Sequence, residues 1–83
     1  MATIDLQAGG TAELVGLDQD RATIKSPIAS APGSRLGLVV GGRSLRLKVH
    51  RCARDGDGYH IEGRFIDLTR DLRATLQARL ANE

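Results

Sequence analysis

The 83-residue chain has one cysteine, one tyrosine, one phenylalanine, no tryptophan and two prolines. Cys52 has no second cysteine to pair with, and with His50 and His60 it does not complete a tetrahedral zinc set. No cofactor or metal is implied. No stretch approaches the roughly 18 apolar residues of a membrane-spanning helix. Residues Met1 to Gly10 have neither the basic start nor the apolar run of a secretory signal. The expected setting is a reducing cytoplasm. Two aromatics are few for a protein that stacks single-stranded bases on its side chains.

Charge of one sign is also missing from each of the first two segments of the chain. Residues 1–20 carry four acids (Asp5, Glu13, Asp18, Asp20) and no base. Residues 21–54 carry eight bases and no acid, and residues 55–83 carry six acids and four bases. The net charge of +2 conceals this basic block. Arginine outnumbers lysine ten to two, which suits bidentate contact with phosphate or carboxylate.

What remains is short apolar alternation punctuated by turns, with one helical pattern at the end. Residues 12–17 and 21–25 read as strands joined by a turn at Asp18-Gln19-Asp20, and Ser26 to Gly33 reads as a loop. Leu36, Leu38 and Val40 alternate, Gly41-Gly42 follows, and Leu45, Leu47 and Val49 alternate on the return. A two-residue turn at the glycines pairs Val40 with Arg43, Leu38 with Leu45 and Leu36 with Leu47, so turn and pattern give one register. A second hairpin is expected at Asp55-Gly56-Asp57-Gly58, followed by Tyr59, Ile61, Gly63 and Phe65 on one face. Gly63 within that strand implies a bulge or a close backbone approach. Thr69 is the expected N-cap of a helix whose Leu72, Leu76 and Leu80 form a stripe. The expected fold is mainly β: one domain over 1–83, with a six-stranded antiparallel barrel at 3–67 and a C-terminal helix at 70–81.

Arg46, Lys48 and His50 point away from the core on the second strand of the first hairpin, with Arg35 opposite Lys48. With Arg43 they define a basic face, which is either a solvated surface balanced by nearby acids or a surface for an anionic partner. Arg70, Arg73 and Gln77 are expected on the exposed side of the helix. Phe65 reads as core, while Tyr59 is open to either role. His50 and Cys52 share a face if the strand is unbroken, but lack a third orienting group, and no pocket-forming segment is evident. Cys52 therefore reads as structural. The Asp55–Gly58 run lacks the further acids of a calcium loop, and neither Gly-Gly pair has phosphate-loop spacing.

The stretch Gly33-Ser34-Arg35-Leu36-Gly37-Leu38-Val39-Val40, the strand Leu45 to Arg51, and the ending Tyr59-His60-Ile61-Glu62-Gly63-Arg64-Phe65-Ile66-Asp67-Leu68 resemble the PilZ domain family. The resemblance covers residues 12 to 81. It implies a small six-stranded split barrel closed by a helix, and a non-enzymatic role. PilZ domains typically receive cyclic di-GMP and signal through contacts with a partner. Their R-x-x-x-R motif has no counterpart, because residues 1–20 contain no arginine or lysine. Their D/N-x-S-x-x-G motif is matched only by Asp18-x-Asp20-x-x-Thr23, with Asp in place of Ser and Thr in place of Gly. The resemblance thus implies a degenerate PilZ-like adaptor that binds a protein partner in bacterial signalling or motility and does not take cyclic di-GMP in the usual way. Two alternatives stand beside it: a cyclic di-GMP receptor with a non-standard site, and a small basic barrel that binds nucleic acid.

Overall fold

The computed structural model describes residues 1–82. Six antiparallel strands precede one helix: β1 (Ala2–Leu6), β2 (Thr11–Asp18), β3 (Arg21–Ser26), β4 (Arg35–Val40), β5 (Arg43–Asp55), β6 (Gly58–Phe65) and α1 (Arg70–Asn82). The strands close into a barrel in the order β1-β2-β3-β6-β5-β4. Closure depends on a short seam, Asp5 opposite Val39 and Leu6 opposite Leu38, extended by the Gln7 N–H donating to the Gly37 carbonyl at 3.0 Å.

The alternating apolar residues meet inside. Ile4, Leu14, Ile24, Leu38, Leu45, Leu47 and Ile61 are fully buried, so every strand contributes to one core. Phe65 is buried with them and Tyr59 packs half-buried against them. The Gly41-Gly42 hairpin has the register its sequence predicts, with Val40 opposite Arg43, Leu38 opposite Leu45 and Leu36 opposite Leu47. Both glycines have positive φ, the pattern of a type I′ turn. At the second hairpin only Gly56 does, as in a type II′ turn.

The Thr69 Oγ1 accepts the Leu72 N–H at 3.2 Å, capping α1 as its sequence predicts. Leu72 and Leu76 are buried, Leu68 and Leu80 partly so, and the helix packs against β1 and β2. No helix among the described residues is long and apolar enough to cross a membrane.

Residues 2–6 form the sixth strand of the expected barrel, with Ala2, Ile4 and Leu6 alternating inward, although the sequence reading assigns no strand to them individually. Two features depart from the local sequence pattern. The register of β2 on β3 shifts between Leu14 and Gly16, so Val15 bulges. That of β5 on β6 shifts between Val49 and Arg51, so His50 bulges.

Candidate functional site

The outer face of β4, β5, β6 and β3 carries a row of cations. Arg35 lies opposite Lys48, Lys48 opposite Arg64, and Arg64 opposite Arg21. Adjacent strands stand about 4.8 Å apart, so the row spans about 15 Å. Asp18 ends it, opposite Arg21. Like charges directly opposed on a sheet are destabilising, and only part of the row is neutralised within the chain. Arg64 Nε lies 3.5 Å from Asp20 Oδ1, whereas Arg21, Arg35 and Lys48 form no ion pair among the described residues. The hairpin register alone predicts Arg35 and Lys48 as neighbours. It does not predict Arg64 and Arg21, because which strands flank β6 is fixed by barrel closure and not by local pattern.

Arg46 stands one step along the same face, opposite Gly37, and is engaged. Its backbone N–H donates to Asp67 Oδ1 at 3.0 Å and its Nε lies 3.4 Å from Oδ2. These contacts, the backbone bond foremost, hold the Asp67 carboxyl below the ordinary aspartate range against the opposing effect of burial. Arg43 does not belong to this face. It has the inward parity of Leu45 and Leu47 and is exposed only because it sits at the barrel's rim.

A groove of about 630 Å³ crosses β2, β3, β6 and β5 beside the row. Asp18, Arg21, Thr23, His50, Glu62 and Arg64 line it, together with Gly16, Leu17, Ala22 and Gly63. The sequence shows no pocket-forming segment because the groove belongs to four strands distant in the chain. Its middle rung, Gly16-Thr23-Glu62-Arg51, is flanked by the two bulges at Val15 and His50. Bulges re-aim side chains next to sites, and here one carries His50 into the groove lining. The same bulge separates His50 from Cys52. His50 is exposed on the groove, whereas Cys52 lies opposite Ile61 and packs partly buried against the core. The face-sharing expected of an unbroken strand is therefore absent.

Asp18, Asp20 and Thr23 are brought together in part. Asp18 and Thr23 line the groove, and Asp20 pairs with Arg64 at its edge. On the helix, Arg70 and Gln77 are exposed. Arg73 is half-buried, with its Nε enclosed and without a hydrogen-bond partner among the described residues, so it does not stand free on that surface. No three His, Cys, Asp or Glu side chains among the described residues gather as a metal set.

No family model, curated protein or solved structure matches the chain. What this face can do follows from its own chemistry: it can hold an anionic surface across four strands.

Proposed function

We propose that the protein is a non-enzymatic, PilZ-like adaptor that acts in bacterial signalling or motility by docking the acidic surface of a protein partner on its outer barrel face. The row Arg35-Lys48-Arg64-Arg21 carries this reading. Arg64 is paired with Asp20, but Arg21, Arg35 and Lys48 have no ion pair among the described residues. Repulsion therefore remains along the row in the free protein, and an acidic partner relieves it while gaining orientation and association rate. The six-stranded barrel with its C-terminal helix is the architecture that the PilZ resemblance implies. Phe65 is buried in the core and Tyr59 packs half-buried against it, which leaves nucleic acid at most one partly exposed ring to stack on.

The groove favours a second reading. It sets Arg21, Arg64 and His50 beside Asp18 and Thr23, so cations lacking in residues 1–20 come from other strands. This is the cyclic di-GMP receptor with a non-standard site. Asp18, Glu62 and the Asp20–Arg64 pair weigh against it, because they place negative charge where phosphates would sit.

Titration with cyclic di-GMP, and separately with a random-sequence oligonucleotide at two salt concentrations, tests these readings. The adaptor reading expects no binding in either titration and a captured acidic protein that the Lys48→Glu/Arg64→Glu double variant fails to hold. Micromolar dinucleotide binding abolished by Arg21→Ala would replace it with the second reading. Salt-sensitive oligonucleotide binding lost in Arg46→Glu would replace it with a nucleic-acid function.

A further inference from the structure

The closed barrel leaves a strand edge open at the end of β5. β5 is 13 residues long, and β4 pairs with it only from Arg43 to Lys48. Gly33 and Ser34 then bond to Val49, and a turn at 31–34, closed by the Ser34 N–H to the Ala31 carbonyl, ends that side. Beyond it, Arg51 to Asp55 pairs with β6 alone among the described residues. Arg51, Ala53, Arg54 and Asp55 are exposed and Cys52 half-buried. Asp55 and Gly58 flank a two-residue turn, so they form a hydrogen-bonded pair, and their alternation directs the backbone of Ala53 to β6 and that of Cys52 and Arg54 outward.

An open edge is a template for another strand, and this one is complementary to itself. A two-fold axis at Ala53 sets Cys52 opposite Arg54 of a second copy, so outward backbone groups meet outward backbone groups. The same register sets Arg51 opposite Asp55 of the other copy, twice, at the closely spaced non-hydrogen-bonded positions. Ala53 meets Ala53 on the axis, where a small side chain lets the strands approach. Moving the axis to Arg54 opposes two arginines, and moving it to Cys52 leaves Arg51 against Ala53; neither retains the two opposite-charge pairs. Asp55 is free to serve both copies, being half exposed and held to Lys25 only at 3.9 Å.

We infer that a second copy of this chain adds to the β5 edge, antiparallel and centred on Ala53, joining two barrels through one continuous sheet. This interface is separate from the outer-face row, so its failure leaves the adaptor reading intact.

Sedimentation equilibrium over a wide concentration range at low salt tests it. A monomer–dimer equilibrium is expected. Arg51→Asp sets a carboxylate against Asp55 of the other copy at both symmetric positions and weakens association about tenfold or more, and Arg51→Asp/Asp55→Arg restores it. Amide exchange adds a readout independent of mutation: the Cys52 and Arg54 N–H groups gain protection as concentration rises. A protein monomeric up to millimolar concentration would overturn the proposal. So would a dimer indifferent to Arg51→Asp, or Cys52 and Arg54 amides whose exchange ignores concentration.

Discussion

Gly63 lies against the backbone carbonyl of Lys48, so close that a Cβ on residue 63 would overlap that oxygen and sit 3.0 Å from Leu47 Cγ. The contact is rigid on both sides, because Lys48 is held in the β5 ladder and Leu47 is fully buried. Gly63→Ala is expected to cost about 2–3 kcal/mol, the upper part of the overpacking range, because the overlap is with backbone. Gly16 is the contrast: nothing lies within 4 Å of its added Cβ. Gly16→Ala should change stability by under about 0.5 kcal/mol. Urea denaturation of the two variants checks both values, and equal losses would contradict the close approach.

Gln19 is the only described non-glycine residue with positive φ, at 56°. It occupies the tight turn between β2 and β3, where Asp18 opposes Arg21. A left-handed conformation costs an L-residue roughly 1–2 kcal/mol, while glycine loses more chain entropy on folding. Gln19→Gly should therefore gain about 0.5 kcal/mol net, seen as a rise in Tm of a few degrees. A fall in Tm would mean that the Gln19 side chain contributes more than its backbone costs.

Asp67 ties the exit of β6 to Arg46 on β5. Its folded pKa lies below the ordinary value, so the folded state favours the carboxylate. The resulting stability is present above the unfolded pKa of about 3.9 and is lost as pH falls through the folded value. Asp67→Asn keeps an oxygen for the Arg46 N–H and removes the charge. At pH 7 it should lower stability by under about 1 kcal/mol, since both side chains are well exposed. Thermal melts at stepped pH should show the wild-type advantage shrinking below about pH 4. An advantage that persists in acid would assign the effect to packing.

The hairpin at Gly41-Gly42 was legible to the residue, because a turn type and two alternating leucine strands constrain one register. So was the helix, through Thr69 and its leucine stripe. β1 was obscured by its brevity and by Ala2, too small to mark a core position. The site was harder to see. Arg64 and Arg21 join Lys48 only through the β5-β6-β3 order, which depends on global closure. The groove and the fate of His50 depend on bulges at positions 15 and 50. A bulge reverses the facing of every residue beyond it, and no local residue pattern announces either one. The open β5 edge was hidden for a related reason: Arg51-Cys52-Ala53-Arg54-Asp55 has no apolar alternation to show where a strand outruns its neighbour.

Lys48 is the sharpest test of the outer face, because its stability effect and its binding effect should have opposite signs. It stands between Arg35 and Arg64, with no ion pair of its own among the described residues. Lys48→Glu replaces two like-charge oppositions by two attractive ones, each worth a few tenths of a kcal/mol up to about 1. The variant should be about 1 kcal/mol more stable at low salt. Added salt should stabilise the wild type, by screening the row, and weaken the variant. Capture of an acidic partner should meanwhile fall in Lys48→Glu. A variant less stable than wild type at low salt would show that the row is not strained, and a stabilised variant that still captures the acidic partner would place the docking surface elsewhere. A more stable protein that has lost its partner would show that the strain is retained for binding.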